Sequence, residues 1–249
     1  MNKKITMKRI REVAEDTKNH PINFRPFTKL SPYLSYFFAR YLPFTPNQIS
    51  LAWMAIALIG IFTMMIGGYW PILIGLLIYH FAFLLDCVDG EVARATKHTT
   101  IGGAYLDYFS SYVNRGMLVL AMGIGVYHTN GNILYLYLGL WSCLFLVFDN
   151  LNKLKVFEAL IAKDRFDLIK SMRAKNLAAG HQSFKAGFFK KLKSYTLQML
   201  RPADALSLIF FAALFNFSWL YLWIMAVASF YAFTKSFILI YKEIGNIQG

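Results

Sequence analysis

Residues 71–89 read PILIGLLIYHFAFLLDCVD, an apolar run that ends abruptly on two carboxylates, Asp86 and Asp89. A bilayer core about 30 Å thick takes roughly 20 apolar residues in one helix, and this run, entered from a Gly-Gly-Tyr-Trp-Pro turn, fits one crossing. The next stretch, DCVDGEVARATKHTTIGGAYLDYFSSYVNR (86–115), adds a third acid, Asp107, at the start of another apolar segment. An ionised side chain at membrane depth costs roughly 2.5 to 3.5 kcal/mol on insertion scales, so such groups persist where they have partners or a task.

The surrounding composition agrees with a membrane chain. Of 249 residues, 57% are hydrophobic and 17% aromatic, and only 16% are charged, against about a quarter in soluble domains. Mean hydropathy is +0.43. The net charge of +13, joined to long apolar runs, points to loops facing anionic lipid headgroups rather than to nucleic acid. Cys87 and Cys143 both lie in apolar surroundings and read as packing residues, not as a disulfide framework or a zinc site. The first long apolar run begins near Ile49, too late for a cleavable secretory signal.

Working outward from residues 71–89, the expectation is an all-α polytopic protein with six transmembrane helices preceded by interfacial or juxtamembrane helices. The first span runs from about Asn47 to Ile66, the second from Pro71 to Asp86, and the third from near Gly103 to the polar turn His128–Asn132. The fourth returns through ILYLYLGLWSCLFLVFDN. The stretch from Ala203 to Tyr241 would reach about 60 Å as one helix at 1.5 Å per residue, so it divides into two crossings at Asn216-Phe217-Ser218. Residues 1–45 form a cytoplasmic and interfacial N-terminal unit, 46–152 the first four spans, 153–202 a basic cytoplasmic loop, and 203–249 the last two spans and a tail. Within the first unit, Met7–Lys18 reads as a solvated or interfacial helix, and Pro32–Leu42 as an aromatic helix along the membrane surface.

Orientation follows from charge. The short turns near Gly68, Asn130 and Phe217 contain no Lys or Arg, whereas the N-terminal segment, the loop Arg94–Lys97 and the stretch Lys153–Arg201 hold most of them. Both termini and the acidic region are therefore expected on the cytoplasmic side of an inner or plasma membrane.

Asp86 and Asp89 are three residues apart and share a helix face, and the short loop to the next span returns Asp107 toward them. Three acids in partly dehydrated space repel one another unless protons or cations neutralise them. Without neighbouring His or Cys ligands, the economical cation is hard and oxygen-loving, Mg²⁺ or Mn²⁺, which also holds phosphate oxygens. Gly90, Ala93 and Gly103 leave room for a ligand or serve helix packing; Arg94 reads as a phosphate partner or an interfacial cation.

Written out, Asp86-x2-Asp89-Gly90-x2-Ala93-Arg94-x8-Gly103-x3-Asp107-x3-Ser111 resembles the signature of the CDP-alcohol phosphatidyltransferase family at seven of its eight fixed positions. The Thr45-Pro46-Asn47 stretch is similar to the opening of that family's first span. The resemblance implies a two-metal site held by Asp86, Asp89 and Asp107, with Asn47, Gly90, Ala93, Arg94 and Gly103 around the cytidine and phosphates. It implies a CDP-linked donor, an acceptor alcohol, release of CMP, membrane lipids as surroundings and a homodimer. Catalysis is assigned on the same basis to Asp107 and the position of Ser111, where the family's pattern has a fourth aspartate and general base. A serine hydroxyl carries no charge and does not readily take a proton near neutral pH. Three readings stay open: Asp149 or His181 supplies the base, the enzyme is weakened, or a silent relative binds a CDP-linked ligand or a membrane partner without turnover.

Other polar residues have plainer alternatives. Asn47 touches substrate or caps its helix, and His80 is a relay or a hydrogen-bonded core residue. Arg115, Lys153 and Lys155 bind an anion or set orientation. A transporter with an acidic ion relay would show inverted repeats and broken mid-span helices, which the sequence lacks.

Overall fold

The computed structural model describes residues 5–15, 25–42, 44–162 and 206–248, and among them every regular element is an α-helix. In chain order they are α1 (Met7–Glu15), α2 (Arg25–Tyr41), α3 (Pro46–Met65), α4 (Tyr69–Thr96), α5 (Ile101–Asn130), α6 (Leu134–Ala162), α7 (Leu206–Leu214) and α8 (Ser218–Gln248).

The helix starts are legible in the residues. Thr45 caps α3: its hydroxyl accepts the Gln48 N–H while Gln48 Oε1 accepts the Thr45 N–H at 2.9 Å, with Pro46 in the first helical position. Such a box satisfies two orphan donors and contributes about 1 kcal/mol. Thr100 does the same for α5 by accepting the Gly103 N–H at 3.0 Å. The ends use left-handed residues: Lys97 after α4, Gly131 after α5, and Asn216 in the turn between α7 and α8. The turns expected near Gly68, Asn130 and Phe217 thus fall where the sequence places them.

Four of the described helices are long and apolar enough to cross a membrane: Pro46–Met65, Tyr69–Thr96, Leu134–Asn152 and Ser218–Ile238. The other two of the six expected spans fall on α5 and α7. Helix α5 has ample length at 30 residues, but its apolar stretch is confined to Met117–Tyr127, and Asp107, Ser110, Asn114 and Arg115 precede it. Helix α7 is described over nine residues, about 14 Å of rise, and its approach lies outside the described residues. Helix α6 runs beyond the apolar limit at Asn152 to Ala162.

Between apolar helices in lipid there is little hydrophobic gain, so association rests on close packing, and small residues permit it. Helices α3 and α4 meet backbone to backbone at Gly60 and Gly75: a Cβ on Gly60 would stand 2.7 Å from the Gly75 carbonyl oxygen. Helices α5 and α6 meet likewise at Gly123 and Gly139, where a Cβ on Gly123 would lie 2.8 Å from the Gly139 Cα. Around these contacts Met64, Leu76, Met122, Ile209, Leu222 and Met225 form a common core joining α3, α4, α5, α7 and α8. The outward faces carry exposed Ile59, Phe62, Trp70, Leu77, Phe81, Trp141 and Trp223, a surface suited to acyl chains.

A second, smaller cluster closes the other end of the bundle. Ile49, Val88 and Val92 pack with Leu34, Phe38 and Ala39 of α2. The end of α4 that carries the acids is thereby fixed between α2 and α3. Helix α2 begins earlier than the expected Pro32–Leu42 segment and includes Pro32.

Candidate active site at the acidic end of α4

Helix α4 continues through the acidic motif as far as Thr96, so Asp86 and Asp89 lie one turn apart on the same face. Asp89 is 5% exposed. Two groups of α3 donate to its Oδ2: the Ser50 hydroxyl at 2.5 Å and the Trp53 indole N–H at 3.0 Å. A buried carboxylate needs such donors, because its desolvation is not otherwise compensated.

Asp86 lines a small cavity of about 20 Å³ together with Trp53, Ala57, Tyr79, Asn114 and Arg115. That volume is enough for one water molecule. Trp53 therefore joins both acids, as a wall beside Asp86 and a donor to Asp89. Arg115 of α5, expected to bind an anion or set orientation, faces the same cavity as Asp86.

The glycine positions divide. Gly90 lies under its own helix's Arg94, whose guanidinium would be 3.2 Å from a Cβ at that position. Arg94 itself is exposed. Gly103 faces Asn47: a Cβ there would meet Asn47 Oδ1 at 2.8 Å and Thr100 Oγ1 at 3.1 Å. The starts of α3 and α5 are thus brought together at two of the residues singled out in the sequence. The capping role considered for Asn47 belongs to Thr45 instead. Ala93 serves the end of α4, its carbonyl accepting the His98 N–H at 3.0 Å.

Asp107 and Ser111 lie on α5 one and two turns beyond Gly103, and their side chains are outside the described ones. Among the described residues, no group of three His, Cys, Asp or Glu side chains closes on a common metal position. The convergence expected of Asp86, Asp89 and Asp107 is not among the described contacts. The donor chemistry nevertheless fits a hard divalent cation, because α4 presents two carboxylates on one face.

The proposed alternatives sort by position. Asp149 is buried on α6, while His181 lies outside the described residues, as do the Lys153 and Lys155 side chains. His80 is half-buried: its Nδ1 donates to the Leu76 carbonyl at 2.7 Å and its ring packs on Phe210.

Five neighbours of the acidic motif escaped the sequence reading: Ser50, Trp53, Glu91, Ser31 and Ser35. Glu91 is 2% exposed, and its two carboxyl oxygens accept the Ser31 and Ser35 hydroxyls, each at 2.6 Å. The available signal was spacing, since serines at i and i+4 in an otherwise aromatic helix mark a polar stripe.

The profile of the CDP-alcohol phosphatidyltransferase family matches residues 44–234, roughly three quarters of the chain. A stretch of 98 residues is 36% identical to the bifunctional IPC transferase and DIPP synthase of Aquifex aeolicus strain VF5, covering 39% of this chain and 21% of that protein. The motif from Asp86 to Ser111, its α3 supports and the Asn47–Gly103 contact all fall inside the family match, and the chain belongs to the CDP-alcohol phosphatidyltransferase family.

Proposed function

We propose that this protein transfers a substituted phosphate from a CDP-linked donor to an acceptor alcohol and releases CMP, in phospholipid or related glycoconjugate synthesis. Family membership supports the reaction class. The observation that carries the reading to this chain is Asp89, buried on α4, held by Ser50 and Trp53, and one turn from Asp86.

Asp86, Asp89 and Asp107 are the residues that would hold Mg²⁺ or Mn²⁺. When bound, such ions neutralise phosphate charge and stabilise the entering and leaving oxygens of an in-line displacement. The acceptor oxygen bonds to the phosphorus bearing the transferred alcohol, and the bridging P–O bond of the diphosphate breaks, leaving its electron pair on CMP. The acceptor proton passes to a base, for which Asp149 and His181 are the candidates beside a weakened site at Ser111. Arg94, Asn47 and Gly103 are the residues that would take the phosphates and the cytidine. Six crossings, with the motif and both termini in the cytoplasm, complete the reading; segregation of Lys and Arg away from the three short turns supports it.

A second reading is favoured by Ser111 itself: a relative that binds a CDP-linked ligand without turnover. The test is CMP release from a panel of CDP-linked donors and acceptor alcohols with and without Mg²⁺ or Mn²⁺. Metal-dependent CMP release that disappears in Asp89→Ala supports transfer. Donor binding with no CMP release for any acceptor supports the silent relative.

A further inference from the structure

Helix α4 is gripped from two sides. Its Asp89 face is held by α3 through Ser50 and Trp53, and its opposite face is held by α2 through Glu91. At 100° per residue, Glu91 lies about 200° around the helix from Asp89, so the two attachments do not compete. They oppose each other.

The α2 attachment is built into a place where a carboxylate is expensive. Val88 and Val92 on α4 flank Glu91, and Leu34 and Phe38 of α2 pack on them. Glu91 is 2% exposed within this apolar patch, and Ser31 and Ser35 are both fully buried. An apolar side chain would fill the space without any requirement for hydrogen bonds. Retaining an acid with a donor for each oxygen specifies one register between the helices, because sliding or rotating α2 breaks both bonds in a site that excludes water. The other face of α2 exposes Leu30, Tyr33, Phe37 and Tyr41, so the serines point inward while the aromatic face is left for the membrane surface.

We propose that Glu91 is a positioning residue for the acidic motif: by binding Ser31 and Ser35 it locks the interfacial helix α2 onto α4 and fixes the rotation at which α4 presents Asp86 and Asp89. Its influence on turnover rests on the phosphotransfer reading above, whereas the helix lock itself does not. Glu91 acts through α4 and touches no reacting atom.

The test uses the full chain in nanodiscs, with Glu91→Ala, Glu91→Gln and the Ser31→Ala/Ser35→Ala pair. Spin labels at the exposed positions Tyr33 and Leu77 read the α2–α4 distance without any activity. The lock predicts a narrow distribution in wild type and in Glu91→Gln, whose amide still bonds both serines, and a broadened one in Glu91→Ala and the serine pair. For metal binding and turnover, supports of ligand residues typically change affinity or activity 10- to 100-fold. Glu91→Ala is expected to raise the half-saturating Mn²⁺ concentration and lower kcat by at least about 10-fold, with Glu91→Gln within about 3-fold of wild type. Combining Glu91→Ala with the serine changes should add little. An unchanged spin-label distance in Glu91→Ala overturns the lock, and a wild-type Mn²⁺ response in a variant with a broadened distance overturns the positioning role. Absence of CMP release from wild type would instead count against the phosphotransfer reading, leaving the distance and Mn²⁺ measurements to judge Glu91.

Discussion

The Trp53 indole N–H of α3 donates to Asp89 Oδ2 of α4 at 3.0 Å, and the same ring walls the cavity beside Asp86. One aromatic residue therefore holds Asp89 and borders the space beside Asp86. Replacing it with Phe keeps the wall and removes the donor, and Ser50→Ala removes the other donor to Oδ2. Each change is expected to weaken the apparent Mg²⁺ affinity in a CMP-release assay by about 10- to 100-fold. The buried acid left with one donor fewer should also cost about 1 to 3 kcal/mol in stability, read as a lower midpoint of thermal unfolding in detergent.

Gly103 has no room for a methyl group while Asn47 keeps its position, since the two would meet at 2.8 Å. Gly103→Ala should lower CMP release by at least about 10-fold, because small misplacements of reacting groups are costly. Adding Asn47→Ala opens the space. If the defect is steric, the double variant recovers part of the loss; if Asn47 itself contacts the nucleotide, the donor KM rises in the double variant and in Asn47→Ala alone.

On the motif resemblance drawn from the sequence, Ser111 takes the place of a fourth aspartate. A positioned general base contributes roughly 10²- to 10⁴-fold, so Ser111→Asp is expected to raise kcat by about 10-fold or more at saturating Mg²⁺. An unchanged kcat would mean that another group already takes the acceptor proton, and Asp149→Asn and His181→Ala would then identify it.

The Gly60–Gly75 crossing fixes the α3–α4 hairpin that carries Ser50, Trp53, Asp86 and Asp89. A side chain on Gly75 meets the Gly60 carbonyl and Met64 at 2.5 Å. Gly75→Val is expected to cost about 1 to 3 kcal/mol through overpacking, measured by thermal unfolding in detergent. Ala substitution at exposed Gly102, where nothing lies within 4 Å, should leave the midpoint unchanged.

The turns were readable because hydropathy and charge act over whole segments: the breaks between helices at 66–68, 131–133 and 215–217 overlap the expected turns. Helix α5 was read as a crossing, yet it is not among the four described helices apolar enough to cross, because its polar first half dilutes the apolar stretch that follows. In the site, the acids, glycines and Arg94 were visible as a spaced pattern along the chain. Their supports were not. Ser50 and Trp53 sit 39 and 36 positions from Asp89, and Ser31 and Ser35 sit 60 and 56 from Glu91. No local period links residues so far apart, and only helix packing brings them together. Glu91 itself stood inside the motif, yet its place on the back face of α4 depends on knowing where α2 lies.

The central claim is that the acids of α4 hold a divalent cation which in turn holds a diphosphate. Mn²⁺ binding by electron paramagnetic resonance, with and without CDP, measures it directly on wild type, Asp86→Ala and Asp89→Ala proteins shown to be folded. The account predicts bound Mn²⁺ in wild type that tightens when CDP is added, and loss of both effects in each variant. Wild-type Mn²⁺ and CDP binding in the folded Asp86→Ala and Asp89→Ala proteins would contradict it.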